Sequence, residues 1–131
     1  MQLQQVFSQA QEIVISNEGE REVYPAGSAP FKDICARWSA MLSNSIVMPA
    51  YGVSLDNVTR EAVKKGVWAE FVFSKQLKVN ELPFERLLVE VKPDYMGFNV
   101  IRYNSDGGYA GRCFYIDLGG TDMADMYEYL K

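Results

Sequence analysis

The feature that most constrains the fold of this chain is the segment 97–118, GFNVIRYNSDGGYAGRCFYIDL. Two runs rich in aromatic and β-branched residues flank the turn-forming residues 105–108, a pattern that predicts a β-hairpin. Neighbouring residues of a strand point to opposite faces, so this hairpin presents apolar side chains on both. Each face therefore needs a cover, from the chain itself or from a partner.

The length of the turn decides which side chains share a face of the hairpin. A two-residue turn at Asp106-Gly107, or a four-residue loop over 105–108, places Asn104 opposite Tyr109. A three-residue loop would shift the pairing by one residue and mix the two faces. The first register collects a semi-polar, aromatic set on one face: Phe98, Val100, Arg102, Cys113 and Tyr115.

Two further strands are predicted upstream, where the apolar pattern acquires a period of two. Residues 67–74, VWAEFVFS, are β-branched and aromatic. Residues 83–91, PFERLLVEV, also fit a helix, but Val89, Val91 and the turn signal at 92–94 favour a strand. Together with the hairpin, these segments predict a four-stranded antiparallel meander.

The remaining segments indicate helices and connections. Residues 17–30 combine charge with Pro, Gly and Ser and are expected to form a mobile loop, and 45–53 a connector. The element order predicts a single α+β domain over 1–131, with the N-terminal helices and a C-terminal helix packed mainly on one face of the sheet. Apolar spacings of three and four predict the helices: 2–15, 30–44, 54–66 with Leu55, Val58 and Ala62 on its apolar face, and 121–131.

Composition excludes several function classes. A net charge of -4 with scattered basic residues argues against nucleic-acid binding, which needs clustered Lys and Arg. Without histidine, Ser-His-Asp and Cys-His catalysis and histidine zinc sites are excluded. Cys35 and Cys113 are expected to be buried free thiols. The chain lacks a signal-peptide pattern and any apolar run of membrane-spanning length, so we expect a cytoplasmic protein that does not bind membranes.

Residues 117–121 read DLGGT. This string resembles the first phosphate-binding hairpin of the sugar kinases and actin-like ATPases, where it approaches the nucleotide phosphates and metal. In that family the hairpin lies near the start of a larger two-lobed protein, whereas here only a predicted short helix follows. We therefore interpret Asp117-Leu118 as a strand end, Gly119-Gly120 as a turn and Thr121 as a helix cap. No cofactor and no metal site is predicted.

The semi-polar face of the hairpin is the candidate binding site. Arg102 beside Gly111 has room to reach an anion, and the tyrosines can stack on its guanidinium. Alternatively, the loop 17–30 or the N-terminal helix covers this face and Arg102 forms an ordinary ion pair. The candidate partner- or ligand-binding residues are Phe98, Arg102, Tyr109, Arg112, Tyr115 and Asp117.

We expect a small binding protein without catalytic machinery, whose partner is another protein or a second copy rather than a small molecule. Two alternatives stay open. One is a module or enzyme that holds an anionic ligand with Arg102, Arg112 and the tyrosines, and the other is a homodimer formed through the aromatic face.

Overall fold

The computed structural model describes residues 2–49 and 52–131 and combines short helices with antiparallel strands. A 3-10 turn over Phe7–Gln9 continues the first helix. The helices are α1 (Leu3–Val6), α2 (Ala29–Met41), α3 (Asp56–Ala62) and α4 (Ala124–Leu130). The strands are β1 (Glu12–Asn17), β2 (Glu20–Pro25), β3 (Ile46–Met48), β4 (Val53–Ser54), β5 (Val67–Val79), β6 (Leu82–Val91), β7 (Gly97–Tyr103), β8 (Gly111–Arg112) and β9 (Phe114–Asp117).

The sheet is wider than the sequence predicts. Within the described residues, seven strands form one antiparallel sheet in the order β2-β1-β5-β6-β7-β9-β3, and β4 pairs with β8 in a two-stranded sheet. The α+β class is confirmed, but the four-stranded meander is wrong. The additional strands come from segments that the sequence assigns to a helix, a loop and a connector.

The predicted helix over 2–15 ends early because its second half is β1. Residues 13–16 of this strand are all buried, as is usual for a strand covered on both faces. A short run of buried apolar residues fits a helix and a strand equally well. The apolar stripe of α1 therefore carries over into β1 without a visible break in the pattern.

The predicted mobile loop at 17–30 contains an ordered strand. The chain turns at Glu18 and Gly19, which both have positive φ angles of 53° and 86°, and β2 then pairs with β1 along its whole length. β2 is an edge strand and largely exposed. Charged side chains at a sheet edge hinder pairing with other chains, so the polar composition here marks an edge rather than a loop.

Other predictions are confirmed. Residues 83–91 lie in β6, and α2 overlaps the predicted range 30–44, beginning one residue earlier and ending three residues earlier. The C-terminal helix exists but begins at Ala124, with Met123 at its N-cap position. Thr121 is therefore not the cap, although Asp117 does end β9 as expected.

The first face of the sheet carries the main core. Side chains from alternate positions of β5, β6, β7 and β9 pack there against α1, α2 and α4. Phe71 of β5 lies at its centre, fully buried, with its ring centroid 4.8 Å from Phe7 and 5.0 Å from Trp38. Edge-to-face and tilted contacts of this kind add to the apolar area that the rings bury.

The second face carries a smaller cluster of Trp68, Leu88 and Tyr109. Val63, at the end of α3, packs on this cluster together with Ile101 and Tyr103. Tyr109 comes from the loop that joins β7 to β8, so α3 and this loop cover the sheet from the second side. The helices are therefore not confined to one face.

The hairpin register differs from the favoured one because the turn has three residues. Asn104 pairs with Gly108 rather than with Tyr109, and Gly108 takes a φ of 71°. Beyond the turn, β8 leaves the large sheet to pair with β4, and β9 returns with Phe98 opposite Ile116. The faces are mixed as a result, and Phe98 and Val100 join the main core.

Replacing Phe71 tests the location of the main core. Phe71→Ala removes a fully buried ring and is expected to lower the free energy of unfolding by about 3–5 kcal/mol, measured by urea titration. The control Val23→Ala alters an edge-strand side chain that is 53% exposed and should change the free energy by less than about 0.5 kcal/mol. Equal effects of the two substitutions would contradict this description of the core.

Candidate functional site

The candidate residues that the sequence groups on one hairpin face lie in different environments. Phe98 is 2% exposed in the main core. Tyr109 is buried on the second face, while Arg112 is exposed on β8. Tyr115 and Asp117 are partly exposed on β9, and the Asp117 carboxylate accepts a hydrogen bond from the Gly119 amide at 2.8 Å. The structure does not bring these residues together into a single site.

Arg102 is buried and faces the chain's own backbone. Its Nε donates to the Arg112 carbonyl and its Nη1 to the Pro83 carbonyl, both at 2.7 Å. Burial lowers the pKa of its guanidinium from the ordinary value. Gly111 provides the space that Arg102 fills, since a Cβ there would lie 2.9 Å from its Nη2. Arg102 thus links β6, β7 and β8.

Tyr109 makes the polar contacts that organise the second face. Its hydroxyl donates to the carboxylate of Glu70, a β5 residue only 5% exposed, and its backbone amide donates to Asp56 of α3 at 2.9 Å. Burial and the nearby Glu70 charge raise the pKa of the Tyr109 hydroxyl. Arg86 Nη1 lies 3.8 Å from the second Glu70 oxygen. The loop, the sheet and α3 meet at this tyrosine.

Asp56 holds the loop to α3 and also anchors Arg60. Both carboxylate oxygens accept from Arg60 Nε, at 2.9 and 3.0 Å. The hydrogen bond from the Tyr109 amide, and then the one from Arg60, lower the pKa of the Asp56 carboxyl. Arg60 extends over the Tyr109 ring, with its Cζ 5.3 Å from the ring centroid. A cation above an aromatic face is electrostatically favourable.

An apolar groove opens beside α3. Val53, Leu55 and Val58 are 68%, 59% and 58% exposed, in contrast to the sequence prediction, which places Leu55 and Val58 on a packed helix face. The groove has a volume of about 320 Å³. Its floor is formed by residues of the second sheet face and of β8–β9, namely Trp68, Asn99, Ile101 and Cys113.

A second depression continues from the groove floor across the same sheet face. It shares Trp68, Asn99 and Ile101 with the groove and adds Tyr95 and Tyr115. The Tyr95 hydroxyl donates to Glu90 at 2.9 Å, and burial together with Glu90 raises its pKa to about 12. Of the residues selected from the sequence, Tyr115 borders this surface with an accessible side chain.

The sequence does not reveal the groove because its residues look like core. Leu55, Val58 and Ala62 are spaced as an inward helix face, yet Thr59 is the residue of α3 that is buried. The apolar, β-branched Val53 lies in a segment interpreted as a connector. Their exposure follows from the pairing of β4 with β8, which lies outside the large sheet.

Within residues 2–49 and 52–131, no group of three or more Asp, Glu or Cys side chains is arranged to hold a metal ion. None of the helices in that part of the chain is long and apolar enough to cross a membrane.

We expect Asp56 to contribute to the acid dependence of stability. Because its folded-state pKa is lowered, the stabilisation is complete above the unfolded value of about 3.9 and is lost as the pH falls through the folded-state value. Asp56→Asn should be less stable than the wild type near neutral pH, with the difference shrinking below about pH 4. Urea titrations between neutral and acidic pH measure this, and a constant difference at every pH would contradict the role of Asp56.

In comparisons with known proteins, no family model, no curated protein and no solved structure gives a significant match to this chain. The function is therefore inferred from the chain's own residues and their geometry.

Proposed function

We propose that this chain is a binding protein that holds a protein partner in the apolar groove beside α3. The observation that carries the proposal is the exposure of Val53, Leu55 and Val58, each more than half accessible and all bordering one groove. Single exposed apolar residues are normal on protein surfaces, but contiguous ones mark interaction sites.

The groove has the features of a central contact region for a partner. Three aliphatic side chains form its wall, and Trp68 lies in its floor with its indole Nε1 already donating to the Lys65 carbonyl at 2.8 Å. The ring is therefore fixed before any partner arrives. A fixed aromatic floor and an aliphatic wall favour burial of an apolar side chain of the partner.

The charge of the chain indicates which kind of partner fits. A net charge of -4 repels a second copy of the same chain and attracts a basic surface. The proposed partner therefore presents one or more apolar side chains to the groove, with basic residues around them. Electrostatic attraction of this type acts mainly on the rate of association.

Substitutions of exposed residues test the groove without disturbing the core. Proteins retained by the wild-type chain are identified, purified and titrated against the wild type, Val58→Asp and the control Val23→Asp. Val58→Asp should weaken binding at least about tenfold, since it places a charge where an apolar side chain is buried. Val23 is a similarly exposed valine on the edge strand β2, which β1 separates from β5. Val23→Asp should therefore bind like the wild type.

The same variants separate the proposal from self-association. Mass measurement in solution should give a monomer for the wild type, and the retained partner should have a basic surface whose binding weakens with added salt. A dimer that Val58→Asp dissociates would instead assign the groove to a second copy. Equal binding by Val58→Asp and the wild type would exclude the groove as the binding surface.

A further inference from the structure

A cationic pocket lies on the other side of α3 from the apolar groove. The groove receives Leu55, Val58 and Ala62 from this region, whereas the pocket receives Arg60, Val63 and Lys64. The pocket has a volume of about 320 Å³ and its rim carries four cationic side chains from three parts of the chain. These are Arg21 of β2, Arg60 of α3, Lys64 just after α3, and Arg86 of β6.

The floor of the pocket is built from buried polar groups. Ser16, Glu70 and Tyr109 line it, and they are 7%, 5% and 9% exposed. One Glu70 oxygen accepts from the Tyr109 hydroxyl. The other lies 3.8 Å from Arg86 Nη1, which is beyond hydrogen-bond length and leaves it able to accept a further bond.

Three of the four rim cations have a carboxylate partner: Lys64 pairs with Glu61 at 3.2 Å, Arg86 lies 3.8 Å from Glu70 in the floor, and Arg60 pairs with Asp56. Arg60 is anchored by Asp56 and lies over the Tyr109 ring, and Arg86 lies over the Tyr103 ring with its Cζ 4.5 Å from the centroid. In the part of the chain that the structure describes, Arg21 makes no ion pair. The residues that line the pocket include four cationic side chains and one carboxylate, that of Glu70.

We propose that this pocket binds the phosphate monoester of a small hydroxylated molecule. A phosphate monoester carries close to two negative charges near neutral pH and has three acceptor oxygens. It can therefore contact several converging cations at once, whereas a ligand with a single carboxylate group has less charge and fewer acceptors. A hydroxyl group on the same ligand donates to the second Glu70 oxygen. The site is separate from the groove, and the proposal does not depend on a protein partner.

The residues of this pocket differ from those that the sequence analysis selects for binding an anionic ligand, which are Arg102, Arg112 and the tyrosines. Arg102 is engaged by two backbone carbonyls, and Arg112 lies on β8. Tyr109 is common to both sets, but here it positions Glu70. The cationic side chains come from segments far apart in the sequence, so only the strand order β2-β1-β5-β6 and the position of α3 bring them together.

Calorimetric titration at low ionic strength tests the proposal with glycerol phosphate, inorganic phosphate and glycerol as probes. Glycerol phosphate should bind more tightly than inorganic phosphate, and glycerol alone should not bind. Arg21→Gln and Lys64→Gln alter exposed side chains and should each weaken binding of glycerol phosphate about tenfold. The matched control Arg37→Gln changes an arginine of α2 outside the pocket and should bind like the wild type.

Three results would overturn the proposal. The first is the absence of glycerol phosphate binding at concentrations up to about 10 mM, where even a weak site responds. The second is equal weakening by Arg37→Gln, which would mean non-specific attraction to positive charge. The third is equal affinity for inorganic phosphate and glycerol phosphate, which would remove the role assigned to Glu70 and with it the hydroxylated ligand.

Discussion

The second face of the sheet depends on the contacts of Tyr109. A carboxylate as buried as that of Glu70 is costly unless it is hydrogen-bonded, and the Tyr109 hydroxyl supplies that bond. The backbone amide of Tyr109 also donates a hydrogen bond to Asp56 of α3, which fixes the helix against the loop. The loop, β5 and α3 are therefore joined at one residue. Without this joint, Trp68 and Leu88 would face solvent, and a sheet with apolar residues on both faces would lack its second cover.

The position of α3 creates two unlike surfaces from one short helix. On one side, β4 and α3 leave aliphatic side chains exposed above the Trp68 ring, and on the other, cationic side chains converge above Glu70. The chain as a whole has a net charge of -4, whereas cations are in local excess around this pocket; charges scattered evenly over the surface would not produce that excess. A binding protein with one apolar and one anion-binding surface is consistent with both, and the occupant proposed for each surface is tested with its own control variant.

The sequence predicts local structure here better than it predicts how the chain covers itself. Amphipathic spacing is sufficient to locate α2, and β-branched residues locate β6. Prediction from sequence patterns fails at residues 13–16, where burial on both faces of the strand removes the period of two in the apolar pattern. It also fails at β2, because an edge strand is as polar as a loop. The hairpin register depends on one residue of turn length, so Phe98 moves from the expected binding face into the core. Neither the groove nor the cationic pocket has a local signal, since both are assembled by long-range pairing.

The joint at Tyr109 can be measured directly with a double-mutant cycle of unfolding free energies. Tyr109→Phe and Glu70→Met each remove one partner and leave the other buried, so each alone should cost about 1–3 kcal/mol. The double variant removes both partners and should lose less than the sum by about 1 kcal/mol or more. This coupling is the result that a Tyr109 hydroxyl bonded to a buried Glu70 requires. Additivity within about 0.3 kcal/mol would show that the two side chains do not depend on each other and would contradict this account of the second face.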